Sequence, residues 1–143
     1  MNAHSWMGRG MLSVAVALLV AACGGPLEYM AKGTPRAPDA DAKIVAEVNS
    51  STVLTTVSIE AEHLAPPDRL MPGATAYVVW ARKDSSSQWQ RIGSLAYNND
   101  KRTGSLPTAT VPLTSFELIV SAEQQNAPTS PSPHVVIQQK VAD

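Results

Sequence analysis

His63 lies close to Glu60, Glu62 and Asp68, and no other stretch of this 143-residue chain brings an imidazole so near several carboxylates. Such groups can hold a divalent cation or exchange protons if the fold aims them at one point. Alternation along a strand puts Glu60 and Glu62 on one face, where a pair of this kind is usually just the solvated surface. The expectation is therefore no metal site. Nucleophilic catalysis needs a hydroxyl beside a base and an orienting carboxylate. The serine runs Ser85-Ser86-Ser87 and Ser130-Pro131-Ser132 sit in turn-like sequence, and no Gly-x-Ser-x-Gly elbow occurs. Gly93 and Gly104 are solitary, so nothing resembles a phosphate-cradling loop, and Glu117 and Glu123 do not by themselves make a glycosidase pair. The chain reads as a non-enzyme without a cofactor. Recognition by aromatic side chains is the remaining chemistry. Trp89 lies between Gln88 and Gln90, and Tyr97 borders the turn Asn98-Asn99-Asp100. With His63 they form the candidate binding residues, set against the plainer expectation that Trp89 covers a sheet edge.

The single cysteine, Cys23, closes the run Val20-Ala21-Ala22-Cys23 after an apolar stretch at 11–20 and an N-terminal segment whose only charged side chain is Arg9. This is the three-part layout of an export signal, too short to span a bilayer as a stable helix. The run resembles the lipobox of bacterial lipoproteins, in which cleavage leaves the cysteine as the first residue, bearing a diacylglycerol thioether and usually an N-linked acyl chain such as palmitate. The resemblance implies that residues 1–22 are a cleaved signal peptide. It also implies that Cys23 anchors the chain to a membrane of the cell envelope, since two or more acyl chains hold a protein stably. Gly24, where an aspartate would favour retention at the inner membrane, favours the outer membrane in a diderm source. Acylation of Cys23 leaves no thiol for disulfides or catalysis. The formal net charge is −1 and the basic residues are scattered, which gives no electrostatic footprint for nucleic acid.

Residues 23–42 are rich in Gly, Pro and Ala and are expected to form a flexible tether carrying the lipidated cysteine. Residues 43–143 are expected to form one all-β domain, an antiparallel immunoglobulin-like β-sandwich of about seven strands at 43–49, 53–63, 74–82, 88–97, 103–110, 116–123 and 134–141. Val57 and Ile59 alternate with polar residues, whereas Tyr77, Val78, Val79 and Trp80 are apolar on both faces, as in a central strand. Pro107 marks its strand as an edge. Trp80 is expected to anchor the core between the sheets.

Three stretches, Tyr77-Val78-Val79-Trp80-Ala81, Ile92-Gly93-Ser94-Leu95 and Phe116-Glu117-Leu118-Ile119-Val120-Ser121-Ala122-Glu123, precede a Pro-rich loop. Their order over about residues 74–139 resembles the extracytoplasmic domain of anti-sigma-K-type factors. That family combines its domain with a transmembrane helix and a cytoplasmic sigma-binding segment, which the lipid anchor would replace. The resemblance therefore implies a β-sandwich outside the cytoplasm and no inhibition of a sigma factor. The functional expectation is a lipid-anchored interaction or structural module with an envelope partner; the alternative is a ligand-binding or sensory module.

Overall fold

Polar–apolar alternation at period two dominates the chain, and it resolves into strands almost throughout. The computed structural model describes residues 25–125 and 128–142; Cys23 and the expected signal peptide, 1–22, lie outside them. Among the described residues there are nine strands: β1 (Leu27–Lys32), β2 (Asp41–Asn49), β3 (Leu54–Glu62), β4 (Ala76–Arg82), β5 (Gln90–Ser94), β6 (Ala96–Asn98), β7 (Thr103–Val111), β8 (Phe116–Glu123) and β9 (Val135–Val141). One helical turn, α1 (Pro67–Leu70), follows Pro66. The strands form two antiparallel sheets, ordered β1-β2-β3-β7-β6 and β5-β4-β8-β9. Setting β1 aside, β2-β3-β7-β6 against β4-β8-β9 is the connectivity of an immunoglobulin-type sandwich, with β5 added beside β4.

Two strands exceed the expected seven, and each has a physical cause. The first replaces the expected tether. In β1, Leu27, Tyr29 and Ala31 turn toward the core while Glu28, Met30 and Lys32 face water. The strand pairs with β2 over its whole length, from Leu27↔Ala46 to Lys32↔Asp41. Ala40 and Ala42 are also buried, so the described part of 23–42 belongs to the domain rather than to a linker. The second arises because the segment 88–97 is not one strand. It breaks at Leu95, whose side chain is buried and whose N–H donates to the Tyr77 carbonyl, and there the chain crosses from one sheet to the other. This crossing joins the sheets on one side. On the other, Gly33 bridges Ile137 of β9, so little unpaired edge remains.

Strand β7 is not an edge but lies between β3 and β6. Pro107 is tolerated because the β3–β7 register slips there, from Val57↔Ala109 to Ile59↔Leu106, and the bulge removes the need for its missing N–H. Between the sheets, Ile44, Val57, Ile59, Tyr77, Val79, Phe116, Leu118 and Val120 are buried together. Trp80 is fully buried but does not belong to this layer. With Val78, Ala76 and Ile119 it forms a second cluster on the outer face of the β5-β4-β8-β9 sheet, covered by Trp89 and Val135. Successive side chains alternate faces, so once Tyr77 and Val79 point inward, Trp80 must point out.

Candidate functional site

The sandwich has two ends. At one, the β1–β2 loop, the β3–α1 connection and the β6–β7 turn converge on a cleft of about 530 Å³. Arg36, His63 and Arg102 supply its cationic groups, Asp39 a carboxylate, and Ala65 and Leu70 part of an apolar floor. His63 and Arg102 both have positive φ, 57° and 54°, a region sparsely used by residues other than glycine. A hydrogen bond from the Leu64 N–H to the Arg102 carbonyl ties the two segments together at 2.9 Å. That bond helps hold both backbones in their strained conformations and sets two cationic side chains on the same rim.

Asp41 stands behind His63. The imidazole Nδ1 donates to Asp41 Oδ1 at 2.8 Å, leaving Nε2 for a ligand. This hydrogen bond, followed by the charges of Asp41, Glu62 and Asp39, raises the His63 pKa above its ordinary value. A raised folded-state pKa means that the pair's contribution is complete below the unfolded histidine value of about 6.5 and is lost as pH rises through the folded one. Asp41→Asn should therefore move the His63 NMR titration to lower pH. An unmoved titration would show that the contact does not hold in solution.

The carboxylates of Asp41 and Glu62, cross-strand partners on β2 and β3, lie with the His63 imidazole so that one ligand atom from each is within 4.8 Å of the others. Neither Glu60 nor Asp68 is in this group. Within the trio, His63 and Asp41 form an ion pair through Nδ1, and Glu62 adds its charge nearby.

The three aromatic and imidazole candidates do not share a site. Tyr97 lies at the His63 end but is structural: its hydroxyl donates to the Leu64 carbonyl at 2.8 Å and its ring meets Tyr77 edge-on, centroids 5.5 Å apart. Desolvation raises the pKa of both phenols. Trp89 is elsewhere, on the outer face of the β5-β4-β8-β9 sheet. There it lines a groove of about 550 Å³ with Ile119, Val135, Gln138, Pro131 and Pro133. The Arg82 guanidinium stacks on its ring, 4.2 Å from the centroid, and pairs with Glu117. Beneath the groove runs a buried polar chain. Trp80 Nε1 donates to Ser121 Oγ at 2.9 Å, Ser121 Oγ donates to Glu123 Oε2 at 2.6 Å, and the Ser132 N–H donates to the same carboxylate at 2.9 Å. Glu123 is only 4% exposed, and these bonds pin the Pro-rich loop to the sheet.

Sequence reasoning singled out His63 but missed Arg36, Arg102 and Asp41. Arg36 sits in the supposed tether, and Arg102 follows the Asn98-Asn99-Asp100 turn as an ordinary solvated residue would. Only the topology brings them together.

By its fold the chain is an immunoglobulin-like β-sandwich, and one end of it carries the cationic cleft. Comparison with protein-family models, curated proteins and solved structures gives no match.

Proposed function

We propose that the protein is a lipid-anchored component of the cell envelope whose β-sandwich is a non-enzymatic binding module. Its ligand carries an anionic oxygen group, a carboxylate or phosphate, on a partly apolar body. The observation that carries this reading is the convergence of Arg36, His63 and Arg102 on one cleft, with Asp41 hydrogen-bonded to the imidazole from behind and raising its pKa. Guanidinium groups match the two-oxygen geometry of carboxylate and phosphate, and the imidazole, when protonated, adds a third charge-assisted donor through Nε2. Ala65 and Leu70 would cover the apolar part. This favours ligand binding over a flat protein-binding face, because large exposed hydrophobic side chains among the described residues are few: Met30, Val53 and Leu54. The lipobox-like run ending at Cys23 supplies the anchor, and Gly24 favours the outer membrane in a diderm envelope.

Two measurements test this. Inorganic phosphate and citrate should each raise the melting temperature of the wild-type chain. The Arg36→Gln/Arg102→Gln double variant should lose that response while unfolding normally without anion, the expected binding loss being at least about tenfold. No response of the wild type to either anion would end the anion reading. Separately, Cys23→Ala should move the protein from the membrane to the soluble fraction, and continued membrane retention would end the anchor reading.

A further inference from the structure

We propose that the β2–β3 turn, carrying Val53 and Leu54, docks into the interfacial layer of the membrane that holds Cys23. The sandwich then stands on the bilayer with the Arg36–His63–Arg102 cleft pointing away from it. The partner surface is a lipid bilayer, and the inference rests on the lipid-anchor reading above.

Chain entry and strand direction carry the argument. β1 starts at Leu27, and its first partner is Ala46, near the end of β2. Four residue steps separate Cys23 from Leu27, a reach of at most about 14 Å even fully extended. From Ala46, β2 runs on to Asn49 and into the turn, so chain entry and the turn share one end of the sandwich. β1 leads the other way, to Lys32 and the loop that walls the cleft. With β1 hydrogen-bonded along its whole length there is no slack from Leu27 onward to lift the domain away. An acylated Cys23 therefore presses this end, and not the cleft, toward the lipid.

The turn suits that position. Val53 is 53% exposed and Leu54 39%, and they are two of the three large hydrophobic residues so exposed among the described residues. Val53 has φ 54°, an unusual conformation for a β-branched residue. The tip carries no charge, reading Asn49-Ser50-Ser51-Thr52-Val53-Leu54, so nothing in it is repelled by anionic headgroups. Its backbone is partly self-satisfied, since Asn49 Oδ1 accepts from the N–H groups of Ser51 and Thr52 at 3.1 and 3.2 Å. A polar, neutral turn with an aliphatic tip fits the boundary between headgroups and acyl chains.

The test uses the full lipidated chain in vesicles of phosphatidylethanolamine and phosphatidylglycerol. Lipidation blocks Cys23, so Val53→Cys and, at the opposite end, Asn99→Cys each offer one thiol for an environment-sensitive fluorophore. The label at 53 should shift to the blue and be quenched by spin-labelled lipid, while the label at 99 should behave as in water. A chain that floats with the vesicles but shows equally wet labels overturns the docking proposal alone. A chain that does not float, and in which Cys23 titrates as a free thiol, overturns the anchor reading and this proposal with it.

Discussion

Trp80→Ala should lower the unfolding free energy by roughly 3–5 kcal/mol, the range for removing a large aromatic side chain from a packed site. In a domain of this size that is a fall in melting temperature on the order of 10–20 °C. The ring is fully buried although it lies outside the layer between the sheets, because Val78, Ile119, Trp89 and Val135 enclose it. Truncation would also leave Ser121 Oγ without the Trp80 N–H it accepts, and Ser121 is what the buried Glu123 carboxylate leans on. The substitution therefore combines a cavity with a weakened polar network, and its effect should spread to the Pro-rich loop through Ser132. Trp80→Phe separates the two contributions. It keeps most of the packing while removing the donor, so about 1–3 kcal/mol is expected. Thermal and urea unfolding measure both, and an unchanged melting point for Trp80→Ala would mean that the outer face is open to water.

Which face Trp80 occupies could not be read from Tyr77-Val78-Val79-Trp80, because a strand that is apolar on both sides does not declare which side meets the opposing sheet. The other sheet was easier. In β3, Thr55, Val57, Ile59 and Ala61 are buried while Thr56, Glu60 and Glu62 are exposed, as the alternation requires. Thr55 is the one hydroxyl in that row, and it donates to the Leu113 carbonyl at 2.6 Å. Strand β1 stayed hidden for a different reason. Its alternation is short, Gly and Pro flank it, and its stability comes from β2 alongside, a tertiary property. The cleft was the least legible feature. Arg36, His63 and Arg102 come from three separate connections, and no local spacing rule links them. Strain at His63 and Arg102 left no trace in composition either, since the two residues are of types that occur anywhere on a surface.

Gly33→Ala should be the most damaging small substitution at the cleft. A Cβ at this position would lie 1.8 Å from the Ala37 carbonyl oxygen and 2.9 Å from that of Ala40, both fixed backbone atoms. No rotamer change can relieve such overlap, so the loop itself must move. That loop is tightly knit: the Gly33 N–H donates to the Ala40 carbonyl, Ala37 to Thr34, and Ala40 to Ala37. It is also sewn to β9, where the Thr34 N–H donates to the Val136 carbonyl and the Thr34 hydroxyl to Val135. Opening it would sacrifice these bonds and displace Arg36, which hangs from the same loop and reaches His134 at 3.3 Å. A loss of about 3 kcal/mol or more is expected, at the upper end of overpacking costs because backbone rather than a side chain must yield. The Arg36→Gln/Arg102→Gln variant should unfold normally while losing anion binding, so Gly33→Ala is set apart by losing both. Gly25→Ala is the control, since a Cβ there meets nothing within 4 Å and should change neither property. Urea denaturation reads the stability, and amide hydrogen exchange at Thr34 reads the loop. If Thr34 stays as protected in Gly33→Ala as in the parent, the loop is not the closed structure described, and the cleft loses the wall that places Arg36 opposite Arg102.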